Sequence, residues 1–124
     1  MTQTYRALAV EDDADSLAIV RLVLQGLPLQ IDHAPTGAAA IDYLIHVVPD
    51  LLFLDINLPD MRGWDILDRF KTDDRLSHLQ VIVLTSHHEP VHRLIGMLQP
   101  IAAYLRKPVE PQVLREQVRQ SLSL

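Results

Sequence analysis

The chain has 124 residues, of which 48% are hydrophobic and 22% charged, and its formal net charge at pH 7 is −5. This length suits one domain, which we expect to span residues 1–124 and to bury a core without covalent cross-links. The acidic balance, with no cluster of Lys or Arg, argues against direct binding of nucleic acid.

Further absences narrow the class of protein. The chain has no cysteine, which excludes disulfides and thiolate metal sites. No apolar stretch is long enough to insert into a membrane, and the first residues lack the basic-then-apolar order of a signal peptide. We therefore expect a cytoplasmic location.

Short apolar runs alternate with longer amphipathic segments along the whole chain. Runs that are apolar throughout, such as Leu51 to Leu54 and Val81 to Leu84, are typical of parallel strands covered on both faces. Pro90 and Pro111 lie where the first turn of a helix tolerates a missing N–H. The pattern predicts a doubly wound α/β fold of five strand–helix units, (βα)5. The predicted strands are 5–10, 29–33, 51–56, 81–84 and 102–105, and the helices are 15–25, 37–47, 64–71, 90–98 and 111–122.

Polar residues end most of these strands. The first strand runs into Glu11-Asp12-Asp13, the third into Asp55, the fourth into Thr85-Ser86 and the fifth into Arg106-Lys107-Pro108. In an open parallel sheet the ligand crevice lies at the carboxyl ends of the strands. We therefore expect carboxylates, a hydroxyl and an ammonium group to meet at one edge.

The chemistry of this set favours a metal and a phosphoryl group. Carboxylates about 4 Å apart repel by roughly 4 kcal/mol per pair at an effective dielectric of about 20, so either one of them is protonated or a cation lies among them. Oxygen-only ligands favour Mg²⁺, which commonly bridges carboxylates to a phosphate. Lys107 and Thr85 would contact phosphoryl oxygens. The set suits phosphoryl transfer to a carboxylate nucleophile, Asp55, with an acyl phosphate as product.

These residues carry a specific resemblance. Asp12, Asp55, Thr85 and Lys107 follow one another at separations of 43, 30 and 22 positions. Together with Glu11, the segment Leu58 to Gly63, Tyr104 and Pro108, they resemble a response regulator receiver domain of the CheY-like superfamily, from about Tyr5 to Leu122. The resemblance implies a flavodoxin-like sheet with strand order 2-1-3-4-5. It also implies a stand-alone, single-domain response regulator, since no output domain is visible.

For the phosphoacceptor and the metal, the resemblance implies four residues. Asp55 would accept phosphate from a sensor histidine kinase or a histidine phosphotransfer protein. Mg²⁺ would be held by Asp12, Asp55 and the backbone carbonyl of Asn57, with Glu11 acting through a bound water. Asp13 has no direct role in this scheme.

For signalling, the resemblance implies that Thr85 and Lys107 contact the phosphoryl group. Tyr104 would be an aromatic switch that turns inward as Thr85 moves towards the phosphate. The changed surface, formed by the predicted fourth helix, fifth strand and fifth helix, would contact a downstream protein target.

Two features of the predicted fourth strand–helix unit suggest further control of phosphorylation and of partner binding. His87 lies two residues after Thr85, where the resemblance places a residue beside the phosphorylated aspartate, so we expect it to influence phosphoryl lifetime. Met97 and Ile101 exceed what a helical core stripe needs, which suggests a partner or homodimer surface.

Other functions use related features. A HAD-like aspartate-nucleophile phosphatase would place a second acid two residues after the nucleophile, where this chain has Asn57. A flavin or nucleotide binder would want a Gly- or Ser/Thr-rich loop after the first strand, whereas Glu11-Asp12-Asp13 would repel a phosphate. A phosphorylation-independent docking module remains the third alternative. We favour a phosphorylation switch rather than a metabolic enzyme.

Overall fold

Parallel strands and flanking helices follow one another in a computed structural model, which describes residues 3–86 and 100–124. One five-stranded sheet has the order β2-β1-β3-β4-β5, as the sequence predicts. The strands are β1 (Tyr5–Val10), β2 (Leu29–Ala34), β3 (Leu51–Leu54), β4 (Gln80–Thr85) and β5 (Ala103–Arg106). The helices are α1 (Ala14–Val23), α2 (Gly37–His46), α3 (Gly63–Phe70), a short 3₁₀ helix (Asp74–Leu76) and the C-terminal helix (Pro111–Leu122).

Most predicted boundaries agree with these elements within two residues. The predicted helix at 90–98 lies outside the described residues, as do His87 and Met97. The 3₁₀ helix was not predicted, because three residues are too short for a hydrophobic period. The Asp73 carboxylate begins it by accepting the backbone N–H of Arg75.

The two faces of the sheet bury separate cores because successive strand residues point to opposite sides. Leu52 and Leu54 pack with α2 and α3, while Leu51 and Phe53 pack with α1 and the C-terminal helix. β3 is buried on both faces, which explains its uninterrupted apolar sequence. Ile101, which the sequence suggested was surplus to packing, is half-buried against the core on the α2 and α3 side.

Two arginines from distant segments bind the carbonyls that helix ends leave without partners. Arg75 donates to the carbonyls of Leu44 and Ile45, at the end of α2, over 3.0 and 3.1 Å. Arg115 donates to the carbonyls of Val23 and Gln25, at the end of α1, over 2.8 and 2.9 Å. Cations here also complement the negative end of the helix dipole. These contacts join the end of α2 to the 3₁₀ helix and the end of α1 to the C-terminal helix.

A hydrogen bond between a tyrosine and a carboxylate joins α2 to β2 and gives a pH-dependent contribution to stability. The Tyr43 hydroxyl donates to Asp32 Oδ2 over 2.6 Å. This bond lowers the pKa of Asp32. Burial, followed by the bond to Asp32, raises the pKa of Tyr43. A carboxylate with a lowered pKa stabilises the fold above its ordinary pKa, and that contribution is lost as the pH falls through the lowered value.

We predict that Tyr43→Phe lowers the free energy of unfolding by about 0.5–1.5 kcal/mol at neutral pH, because this bond is partly solvated. The difference from wild type should shrink as the pH falls below the ordinary pKa of an aspartate, because the unfolded chain then binds a proton that Asp32 in the folded protein resists. Urea unfolding at several pH values measures this. A difference that stays constant down to pH 2, or that persists in an Asp32→Ala background, would contradict the assignment.

Gly63 and Gly37 begin helices in close contact with other groups. A Cβ atom on Gly63 would lie 2.6 Å from the Asp55 carbonyl oxygen and 3.0 Å from the Ile56 Cα, both backbone atoms. On Gly37 a Cβ would clash with Met61 Cγ, which belongs to a flexible side chain. Of these two glycines, Gly63 is the one where an added Cβ would meet backbone atoms, which cannot rotate away.

We predict that Gly63→Ala destabilises the protein by about 1–3 kcal/mol, because the added methyl must displace the backbone after β3. Gly37→Ala is the matched control and should cost less, since Met61 can move and Ala favours the helix by about 1 kcal/mol. Denaturant unfolding of both variants compares them. Equal stability of Gly63→Ala and wild type would show that this contact does not constrain the loop.

Candidate functional site

The predicted polar residues do meet at the carboxyl edge of the sheet. β1 lies between β2 and β3, with Val10 beside Leu54, so the residues that follow these strands are neighbours. This is the point at which the chain changes its direction of winding, where open α/β sheets bind ligands. β4 and β5 continue the same edge and bring Thr85 beside Arg106.

Three carboxylates form a cluster at this edge. Glu11, Asp12 and Asp55 each offer an oxygen atom, and these oxygens all lie within 4.8 Å of one another. Glu11 is 7% and Asp55 8% exposed, whereas Asp12 is open to solvent. The set fits a hard cation, because it offers only oxygen ligands and one open side. Mg²⁺ is therefore chemically compatible with the cluster.

Lys107 is the counter-ion of the two buried acids. Its ammonium group hydrogen-bonds to Glu11 Oε2 and lies 3.2 Å from Asp55 Oδ2. Its own backbone N–H donates to the Thr85 carbonyl over 2.9 Å, which anchors the residue to the end of β4. The peptide bond from Lys107 to Pro108 is cis. One cation thus contacts carboxylates from two different strand ends.

For both Glu11 and Lys107, burial and the ion pair shift the pKa in opposite directions. Burial raises the pKa of Glu11, and the hydrogen bond and charge of Lys107 only partly offset that effect. Burial also acts to lower the pKa of Lys107, but the hydrogen bond that Lys107 donates to Glu11 and the charges of Asp55 and Glu11 outweigh it, so the pKa stands above its ordinary value. Lys107 is therefore a firmly held positive charge.

Backbone N–H groups orient the acids. The Asn57 N–H donates to Asp55 Oδ1 over 3.0 Å, and the Asp13 N–H donates to Glu11 Oε1 over 3.1 Å. The Asp13 side chain instead caps α1 by accepting the N–H groups of Asp15 and Ser16. This use of Asp13 agrees with its lack of a metal role in the sequence scheme.

Thr85 and Tyr104 lie on the neighbouring strands. Thr85 is fully buried as the last residue of β4. Tyr104, on β5, is half-buried, and its ring stacks on Trp64 with centroids 6.4 Å apart and planes at 21°. The position of Tyr104 is compatible with both a core contact and a switch, so its role stays a prediction.

The loop after Asp55 is tied to α2. The Gly63 N–H donates to the Ile56 carbonyl over 2.7 Å, which closes the loop on itself. The Asp60 carboxylate accepts the N–H groups of Gly37 and Ala38 over 2.8 and 2.9 Å. These two N–H groups, of Ala38 first, lower the pKa of Asp60. The negative charge also lies at the positive end of the α2 dipole, a favourable position.

The contacts of two residues near the site were not predicted from the sequence. Asp60 supports the loop that carries Asn57, and His33 on β2 contacts the carbonyl of Glu11 over 2.7 Å. Both partners lie more than 20 positions away in sequence, at 23 and 22. The available signals were only an acid within the loop and a polar residue near the end of an apolar strand.

Among the described residues, no helix is both long and apolar enough to cross a bilayer.

The sequence matches the response regulator receiver domain family over residues 7–119. Regulatory protein LuxO of Vibrio vulnificus is 36% identical over 115 residues, which are 91% of this chain and 24% of LuxO. DNA-binding response regulator MtrA of Mycobacterium tuberculosis is 30% identical over 121 residues, which are 98% of this chain and 52% of MtrA.

A solved structure shows the same architecture. The signal receiver domain of a LuxO-type repressor from Vibrio parahaemolyticus superimposes with a TM-score of 0.89 at 29% identity, covering 98% of this chain and 92% of that one. The chain spans about a quarter of LuxO and about half of MtrA. With the family match covering most of the sequence and the acids, lysine and hydroxyl meeting at one sheet edge, this chain belongs to the response regulator receiver domain family, whose members are phosphorylation-dependent switches of two-component signalling.

Proposed function

We propose that Asp55 accepts a phosphoryl group from a sensor histidine kinase or histidine phosphotransfer protein and that this modification controls contact with a downstream protein. The observation that carries the proposal is the contact of a buried Asp55 with Lys107, inside a carboxylate cluster compact enough to bind a metal. A buried acid without a task would cost several kcal/mol, whereas this one has a cation within reach.

Mg²⁺ would be held by Asp12, Asp55 and the backbone carbonyl of Asn57, with Glu11 acting through a water. The ion, when bound, supplies positive charge that neutralises phosphoryl oxygens. Asp12 is the exposed member and leaves the cluster accessible from solvent. The two buried members are those that Lys107 contacts, so a bound metal would share the charge of these acids with the lysine.

The transfer itself is a displacement at phosphorus. An Asp55 carboxylate oxygen forms a bond to phosphorus, while the bond from phosphorus to the imidazole nitrogen of the donor breaks and the electron pair leaves with that nitrogen. The product is an acyl phosphate on Asp55. The chain contributes orientation through the Asn57 N–H, which already binds Asp55 Oδ1, and charge neutralisation through Lys107.

Phosphorylation of Asp55 would change the balance of charge between Lys107 and the two buried carboxylates. The modification adds about one negative charge and new acceptor oxygens for Lys107 and the Thr85 hydroxyl. We infer that movement of Thr85 makes room for Tyr104 and alters the surface of β5 and its neighbouring helices. A complete reversal from 1:99 to 99:1 needs about 5.5 kcal/mol of differential stabilisation, so partial shifts of a two-state equilibrium fit better.

The proposed function does not include phosphatase activity. Asn57 occupies the position where a HAD-like phosphatase has its second acid, and an amide cannot donate a proton as a general acid. Slow self-catalysed phosphorylation and dephosphorylation is therefore the only catalysis we assign. We further propose a cytoplasmic protein without direct nucleic-acid binding, and a homodimer through the surface around β5 as one form of output.

Phosphoramidate or acetyl phosphate with Mg²⁺ should add one phosphoryl group per chain, seen by intact-mass measurement and removed by hydroxylamine, which cleaves acyl phosphates. Asp55→Asn should abolish the addition, because an amide is a poor nucleophile. Asp68→Asn, an exposed acid on α3, is the control and should be modified normally. No modification of wild type at any Mg²⁺ concentration would favour a phosphorylation-independent docking module, and rapid turnover of unrelated phosphoesters would favour a phosphatase.

Lys107→Ala should separate metal binding from transfer. Loss of the cation removes charge neutralisation at the phosphoryl group, and we expect roughly 100-fold slower phosphorylation. Mg²⁺ should bind at least as tightly as in wild type, because Lys107 no longer competes for Glu11 and Asp55. Lys71→Ala, which removes the only other lysine of the chain, is the control. A Lys107→Ala protein that loses Mg²⁺ binding but keeps its rate at saturating Mg²⁺ would contradict this assignment.

A further inference from the structure

His33 forms a hydrogen bond that completes the end of a strand pair. β1 and β2 pair in parallel up to Val10 and Ala34, and the Glu11 N–H still donates to the Ala34 carbonyl over 3.1 Å. β2 ends at Ala34, so the paired ladder goes no further. The Glu11 carbonyl is met instead by the His33 side chain, with Nε2 at 2.7 Å.

The chemistry of this contact defines the donor. A carbonyl oxygen only accepts hydrogen bonds, so Nε2 of His33 must carry the proton. Either the neutral ring with its proton on Nε2 or the doubly protonated ring can donate this hydrogen bond. The contact therefore does not depend on a change in the charge of His33.

The contact acts on the peptide bond that leads to a metal ligand. The Glu11 carbonyl belongs to the peptide group that joins Glu11 to Asp12, so holding this oxygen fixes the plane of that group. Glu11 is also held through its N–H by Ala34 and through its carboxylate by Lys107. Asp12 itself is exposed, and its direction depends on the backbone that precedes it.

We propose that His33 is a positioning residue of the metal site, which holds the Glu11–Asp12 peptide group so that Asp12 faces the other two carboxylates. This inference rests on the proposed function, in which Asp12 is a direct ligand of Mg²⁺. Groups that orient metal ligands through a hydrogen bond commonly account for 10–100-fold in metal affinity. His33 is exposed, so replacing its ring leaves no buried cavity.

Three variants test the hydrogen bond. His33→Leu removes the donor, whereas His33→Gln retains an amide N–H at a similar distance from the backbone. His46→Leu is the matched control, because His46 is also exposed and its ring bonds a carbonyl, that of Asp42, but at the far end of α2. Calorimetric titration of the unphosphorylated proteins with Mg²⁺ measures affinity without any phosphoryl transfer.

We expect His33→Leu to bind Mg²⁺ roughly tenfold more weakly than wild type, with His33→Gln restoring much of the loss and His46→Leu unchanged. In metal-free protein, the backbone amide NMR signals of Asp12 and Asp13 should move in His33→Leu and return towards wild type in His33→Gln. Equal Mg²⁺ affinity in His33→Leu and wild type would overturn the inference. A His33→Gln protein as weak as His33→Leu would overturn it too, and so would wild-type protein that binds no Mg²⁺.

The result separates this inference from the proposed function. If acetyl phosphate modifies Asp55 but His33→Leu binds Mg²⁺ like wild type, the positioning role fails and the function stands. If His33→Leu weakens Mg²⁺ binding but Asp55 is never modified, the positioning role stands and the phosphoacceptor function fails.

Discussion

The structure depends on the contact of one lysine with two buried carboxylates. Glu11 and Asp55 come from adjacent strands and would repel each other in a poorly solvated site, and Lys107 from a third strand end offsets that repulsion. The pKa of Glu11 nevertheless stays raised by burial, so further positive charge near Glu11 would stabilise its ionised form. In the proposed function, a divalent cation and a transferred phosphoryl group would change this balance, so the same ion pair would be both a structural contact and a means of sensing phosphorylation.

Contacts from outside the cluster keep its loops in place. Asp60 ties the loop after β3 to the start of α2, and His33 ties the loop after β1 to β2. Gly63 lets α3 begin against the backbone of Asp55 without a clash. Loops that hold reactive groups must be rigid within fractions of an ångström, and here backbone hydrogen bonds to side chains supply that rigidity. The β2 and α2 region therefore supports the site, although it contributes no residue to the carboxylate cluster.

Much of this arrangement was predictable from the sequence. Apolar runs four residues long predicted buried parallel strands, and the polar residues that end them predicted a crevice containing Glu11, Asp12, Asp55, Thr85 and Lys107. Local rules sufficed there, because parallel strands present their ends at one edge whatever the details of packing. The 3₁₀ helix was not predictable, because three residues are too few for a hydrophobic period. The core contact of Ile101 and the two arginine caps were not predictable either, since each depends on a partner that is distant in sequence.

The sequence by itself determined the class of fold, the order of the elements and the residue types available for phosphoryl chemistry, because hydrophobic period and strand-end polarity are local properties of the chain. Only the tertiary structure decided how these residues act on one another. It placed Lys107 between Glu11 and Asp55 and brought His33 to the Glu11 carbonyl. Such choices depend on side-chain reach across neighbouring strands, which no local pattern encodes because contacts over a few ångströms join residues that lie tens of positions apart.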